Sequence, residues 1–260
     1  MISDKVKGNY FSFFKNGGFN MLLGYKITLK TMENLVEQLT QVTGSLHVVS
    51  GNPEVLYQGM KNKKLSIDFK REDTLIIPDG IGVCYPLRWR GYNVQRVAGI
   101  DLVVKLLERF NEKEKSVYLL GGTSDVSEKM VNYVKTNYPH IKVVGAKDGY
   151  FEDERSVLEE IRDSKPDLLL VAMGAPRQEL FIVNHRSELN CSLMMGVGGT
   201  FDVLVGKVER APQWAIRLNL EWFYRIVKEP IRLKRFKSNI VFVLICLKEQ
   251  FISSKNKKIT

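Results

Sequence analysis

The chain is expected to fold as an α/β protein, with a parallel-sheet core in two packed halves and a helical, basic C-terminal appendage. Three observations predict this. Between residues 115 and 206 one phrase recurs: a short apolar run, a stop at small residues, then a stretch with helical spacing. The runs are continuously apolar rather than alternating, as strands covered on both faces must be. With 260 residues, 44% of them hydrophobic, the chain can also bury a sizeable core.

Residues 1–20 are aromatic and lysine-dotted, with no continuous apolar stretch, and read as an irregular extension rather than a secretory signal. An extended run from Met21 to Leu29 precedes a helix capped by Thr31, with Met32, Leu35, Val36 and Leu39 on one face. Leu46-His47-Val48-Val49 is a strand that stops at Ser50-Gly51-Asn52, and Pro53 suits a first helical turn. Leu75-Ile76-Ile77 is a second strand, ending at Asp79 in a glycine-bracketed turn, and Ile100–Phe110 has helical spacing. Strands at Val117–Leu120, Ile141–Val144, Leu168–Met173 and Leu193–Val197 alternate with helices, one of them over Glu154–Ser164. These elements make up a core over residues 21–206.

The appendage, residues 207–260, changes character. Pro212 opens a helix with Trp214, Leu218 and Trp222 on one stripe and Arg217, Glu221 and Arg225 on another, and Pro230 ends or kinks it. From Lys207 onward there are 13 Lys/Arg against 4 Asp/Glu, so the tail carries +9 of the formal +10. A basic tail on a neutral body suits a polyanion: nucleic acid, acidic lipid head groups or a phosphorylated substrate. The apolar run Ile240–Leu247 is far short of the roughly 20 residues that span a bilayer. It either lies in a membrane interface, together with side chains between Phe236 and Phe251, or packs on the core. Truncation near Ala211 is expected to leave a folded body. The three cysteines form no CxxC pair and read as reduced, buried thiols, and the three histidines fall in no metal or nucleophile pattern.

In α/β proteins ligands bind at the carboxyl ends of the strands, which is where Asp79 stands. A carboxylate there can serve as a base. Its bland alternative is an Asp-Gly turn capping its own backbone. The glycine-rich strand ends at 121–123, 174–178 and 198–202 expose backbone N–H groups at helix N-termini, which seat a diphosphate. Gly121, Gly122, Gly174 and Gly199 are the candidates. Asp202 has a helix cap as its alternative, and Gln178-Glu179 a solvated first turn.

Together these phrases resemble the WecG/TagA/CpsF glycosyltransferases (glycosyltransferase family 26). The likeness runs in order from Asp79-Gly-Ile-Gly-Val and Arg96-Val-Ala-Gly-Ile-Asp101, through Leu119-Leu-Gly-Gly-Thr and Gly149-Tyr-Phe, to Gly174-Ala-Pro-Arg-Gln-Glu179. Gly196-Val-Gly-Gly-Thr-Phe-Asp202, Arg210-Ala-Pro-Gln-Trp214, Leu220-Glu-Trp-Phe-Tyr-Arg225 and Glu229-Pro-Ile-Arg232 complete it, so that it covers about residues 21–235. The resemblance implies a Rossmann-like core and inverting transfer from a UDP-sugar to an undecaprenyl-diphosphate-linked sugar, at the cytoplasmic face of the membrane. The sugar would be N-acetylmannosamine or its uronic acid, with no metal and no cofactor. Asp79 would be the base, and Arg217, Arg225 and Arg232 would reach the active site from the appendage. Gln178 would touch the sugar, while Tyr150 and Asp202 would lie on the nucleotide side. Ser50 stands where the family usually has threonine. Asn52, Arg96 and Glu179 complete the expected substrate contacts.

Independently of the resemblance, a departing diphosphate needs roughly two negative charges stabilised, and the sequence has no Asp-x-Asp triplet to hold a divalent ion. Arginines can supply that charge through bidentate hydrogen bonds. Two rival readings are a nicotinamide-dependent oxidoreductase, which lacks the expected GxGxxG, and a nucleic-acid-binding protein, which leaves Asp79 and Gln178 unexplained.

Overall fold

The computed structural model describes residues 18–228 and 233–256. Its centre is one eight-stranded sheet, in the order β1-β2-β4-β3-β8-β7-β5-β6. The strands are β1 (Phe19–Leu22), β2 (Tyr25–Thr28), β3 (Leu46–Gly51), β4 (Thr74–Pro78), β5 (Ser116–Gly121), β6 (Lys142–Lys147), β7 (Leu168–Ala172) and β8 (Leu193–Gly196). Only the β1–β2 pair is antiparallel. The extended run near Met21 is therefore two strands, turned at Leu23-Gly24, where both residues have positive φ. The halves β1–β4 and β5–β8 meet where β3 pairs with β8, and the carboxyl ends of the inner strands share one edge.

Twelve helices cover the sheet among the described residues: α1 (Met32–Leu39), α2 (Pro53–Lys61), α3 (Lys63–Asp68), α4 (Ile81–Trp89), α5 (Gly99–Glu112), α6 (Ser124–Asn137), α7 (Glu154–Ser164), α8 (Arg177–His185), α9 (Thr200–Leu204), α10 (Gln213–Arg217), α11 (Glu221–Lys228) and α12 (Leu233–Asn256). Thr31 caps α1 by accepting from Asn34 N–H, and Asn52 caps α2 by accepting from Val55 N–H, with Pro53 in the first turn. One sheet face carries a continuous core, in which Val48, Leu75, Leu119, Leu170 and Met195 pack against Leu35, Leu106 and Met130. On the other face the core divides in two. Val49 and Ile76 pack on Val55, Leu56 and Val83, while Leu120 and Val171 pack on Val157, Ile161 and Ile182. The two packed halves of the prediction are these two clusters.

Three segments differ from the sequence reading. α3 was not foreseen, and the glycine-bracketed turn after Asp79 opens directly into α4, whose helical pattern is obscured by Gly82 and Pro86. The single helix expected from Pro212 is broken. Asn219 takes φ 59°, its N–H donates to Ile216 O, and Leu220 N–H donates to Ala215 O. That is a Schellman stop built on a left-handed asparagine. The Arg217/Glu221/Arg225 stripe is accordingly not one helical face. The effect of Pro230 lies outside the described residues.

In α12, Phe242 and Cys246 are fully buried in the Val55/Leu56/Val83 cluster, whereas Ile240, Val241 and Leu244 are exposed. One face of this run packs on the core, as one of the two expectations had it, and another stays open. No described helix is long and apolar enough to cross a membrane.

Candidate active site

The carboxyl edge of the sheet opens into a cleft of about 860 Å³. The register brings its first elements together. Ser50 pairs with Ile77 and Gly51 with Pro78, so β3 and β4 end level, and the residues just past them share one floor. There Ser50 Oγ donates to Asp79 Oδ2 at 2.7 Å, and Gly99 N–H donates to the same oxygen at 3.2 Å. Asp79 thus does not cap its own turn; its partners lie 29 and 20 residues away. The close fit depends on Gly99, because a Cβ there would come within 2.9 Å of Ser50 Oγ and 3.3 Å of Asp79 Oδ2.

The other oxygen of Asp79 is less engaged. Asp79 Oδ1 lies 3.8 Å from Arg96 Nε, and Arg96 Nη2 donates to Glu221 Oε2 at 2.7 Å. Glu221 is buried, not part of a solvated stripe. It links the C-terminal segment to the strand-end carboxylate through one guanidinium. Sequence spacing gave no hint of this bridge, whose ends are 125 residues apart.

Across the cleft, Gln178 is 3% exposed and its amide orientation is fixed. Oε1 accepts from Gly174 N–H (3.1 Å) and Gly198 N–H (2.8 Å), tying the end of β7 to that of β8, while Nε2 donates to Glu179 Oε1 at 2.7 Å. Gly196 makes room for the amide, since a Cβ there would sit 2.7 Å from Gln178 Nε2. Gln178 and Glu179 are therefore not a solvated first turn. Burial pushes the Glu179 carboxyl up to about 7, and its Oε2 has no hydrogen-bond partner.

Ser50, Asn52, Asp79, Arg96, Gly122, Tyr150, Gly174, Gln178, Gly199 and Asp202 all line the cleft. Asp202 sits within α9, which Gly199 caps, and lies 3.6 Å from Lys207 Nζ. Three expected residues are not on the lining. Glu179 is buried behind Gln178, Gly121 packs against the Ala172 backbone, and Arg217 is exposed on α10. Arg225 belongs to α11, but its side chain is outside the described residues, as is Arg232 altogether. The cations that do line the cleft, among the described residues, are Arg96, Arg177 and Lys207. Sequence reading passed over Arg177 and Lys207, although Arg177 stands inside the Gly174–Glu179 motif.

No three described His, Cys, Asp or Glu side chains gather as a metal ligand set. Burial raises the thiols of Cys84, Cys191 and Cys246 to about 11, 12 and 12, so none is a ready nucleophile.

A mostly parallel sheet with a cleft at its carboxyl edge and a strand-end carboxylate on the cleft floor defines an α/β protein whose ligand site lies at the strand ends. The chain belongs to the glycosyl transferase WecG/TagA/CpsF family, whose model matches residues 20–256. It is 41% identical over 208 residues to an N-acetylglucosaminyldiphosphoundecaprenol N-acetyl-beta-D-mannosaminyltransferase of Bacillus subtilis (strain 168), covering 80% of this chain and 79% of the relative. A protein of the same description from Bacillus spizizenii (strain ATCC 23059 / NRRL B-14472 / W23) is 38% identical over 80% of this chain and 81% of its own. Another from Staphylococcus aureus (strain MW2) is 31% identical over 85% of this chain and 89% of its own. The nicotinamide reading falls with family membership.

Proposed function

We propose that the protein transfers an N-acetylhexosamine-type sugar from a UDP-sugar to an undecaprenyl-diphosphate-linked sugar, inverting the anomeric centre without a metal. N-acetylmannosamine is the favoured sugar, in keeping with the printed activity of the relatives, and its uronic acid is the second candidate. The reaction belongs to cell-surface polysaccharide or teichoic-acid-type synthesis, and the protein works peripherally at the cytoplasmic face of the membrane.

The observation that carries this reading is Asp79, held at the end of β4 with one oxygen saturated and its side chain open to the cleft. In the proposed step the acceptor hydroxyl gives its proton to the Asp79 carboxylate while its oxygen bonds to the anomeric carbon. The bond from that carbon to the β-phosphate oxygen breaks on the opposite face, and UDP leaves with the electron pair. A base so positioned contributes about 10²–10⁴-fold. Arg177 and Lys207 take up charge on the diphosphate. Arg217, Arg225 and Arg232 join them when the C-terminal segment closes on bound substrate, with the Arg96–Glu221 bridge as the point of coupling.

A screen of UDP-sugars against a synthetic prenyl-diphosphate-N-acetylglucosamine acceptor in EDTA tests this. Transfer from UDP-N-acetylmannosamine with inverted configuration is expected. A strict need for added magnesium would remove the metal-free step, and transfer from no UDP-sugar would remove the reading.

A further inference from the structure

We infer that the apolar arm of the cleft, between α4 and α12, seats the first isoprenoid units of the acceptor lipid, whose sugar and diphosphate reach back from that arm to Asp79. The inference rests on the transfer reading above and specifies where its acceptor lies. α4 begins two residues after Asp79, and Ile81, Tyr85 and Trp89, spaced i, i+4, i+8, all line the cleft. At the helical rise this face extends about 12 Å from the carboxylate. Tyr85 and Trp89 are 42% and 49% exposed, with rings stacked at 6.1 Å and 15°. From the other side Ile240, Val243 and Leu244 of α12 line the same space, with Ile240 and Leu244 47% and 58% exposed.

The arm is built in advance. Phe242 and Cys246 anchor α12 in the core, Arg90 pairs with Glu249 at 2.5 Å, and Gln250 Nε2 donates to Trp89 O at 3.3 Å. Such preorganisation reduces the entropy lost on binding. The occupant follows from charge. Among the described residues, Arg177, Lys207 and Asp202 line the β7–β8–α9 side, and none of the α4 and α12 residues on the cleft carries a charge. A nucleoside diphosphate has no hydrocarbon to cover these side chains, which a polyprenyl chain would take out of water. An amphiphile fits, with its sugar hydroxyl at Asp79, its diphosphate beyond, and its hydrocarbon along Trp89 and Leu244. Two arms of opposite chemistry meeting at one carboxylate match a polar donor and a polyprenyl-diphosphate acceptor.

The test uses two water-soluble acceptors, N-acetylglucosamine diphosphate esterified with farnesol or with methanol, without vesicles or detergent. Surface docking then plays no part. The full-length protein should favour the farnesyl acceptor by tenfold or more in kcat/KM. The double variant Trp89→Ser/Leu244→Ser should lower that ratio at least tenfold, and Trp89→Phe should keep it. Equal kcat/KM for the two acceptors in the wild type, or an undiminished ratio in the double variant, would overturn this subsite alone. Turnover of neither acceptor would overturn the transfer reading with it.

Discussion

Two aspartates stand at opposite ends of the same strand pair and meet opposite fates. At the amino end, where His47 pairs with Thr74, Asp68 is 2% exposed. Its Oδ2 accepts from His47 Nδ1 at 2.7 Å and Thr74 Oγ1 at 3.3 Å, while Oδ1 is bound by the Arg186 guanidinium. Burial alone would raise this carboxyl; the hydrogen bond and charge of His47, with Arg186, hold it down to about 2. At the carboxyl end, Asp79 keeps 21% of its side chain exposed, and only Oδ2 is hydrogen-bonded. Filling every site on a carboxylate makes it a structural clamp, and leaving one side open toward a cleft makes it available for proton transfer.

That contrast breaks most visibly at Asp68. Asp68→Ala removes the buried carboxylate shared by His47 and Arg186, leaving Arg186 its contacts with Asp73 and Thr74, and is expected to cost about 3 kcal/mol in urea unfolding. Turnover per folded molecule should stay within about twofold, as for structural positions far from a site. A thousandfold loss of kcat with unchanged stability would reverse the two roles.

Ser50→Ala removes one charge-assisted bond from Asp79 and should lower kcat by about tenfold or more, the value of a hydrogen bond to a charged group. Ser50→Thr keeps the donor and should retain activity; comparable losses in both variants would mean that bulk, not the hydroxyl, matters there.

Acid titration sharpens the comparison further. Because the folded Asp68 carboxyl lies near 2, below its unfolded value near 3.9, its stabilisation is complete above pH 4 and lost as pH falls toward 2. Wild type should shed about 2 kcal/mol across that window through this group, and Asp68→Ala should lack that slope.

Glu179 gives a pH slope of the opposite sign. Its carboxyl is raised to about 7, so the folded state holds a proton that the unfolded chain releases near 4.3. This contribution to stability is present below pH 4.3 and declines as pH rises to 7. Glu179→Gln should flatten that decline in urea midpoints, while leaving Gln178 Nε2 an amide oxygen to bond. An identical pH slope in the variant would show that Glu179 titrates normally.

Much of this was legible because strand ends announce themselves. Apolar runs stopping at Asp79, Gly121, Gly174 and Gly198 give the sheet edge and most of the cleft floor. Contacts made by long-range partners were not legible. Nothing local marks His47, Asp68 and Arg186 as one network, or Arg96 and Glu221 as a bridge. Glu221 looked solvated because the helix stop at Asn219 is set by backbone geometry that spacing does not encode. Tyr85 and Trp89 went unread, because Gly82 and Pro86 obscure the helical pattern of the segment that carries them.

The most direct test compares Asp79→Asn with wild type in three measurements on one preparation: kcat, UDP-sugar affinity and urea midpoint. The account predicts that kcat falls by about 10²–10⁴, with affinity and midpoint nearly unchanged. Turnover at the wild-type rate, with donor still bound, would contradict it.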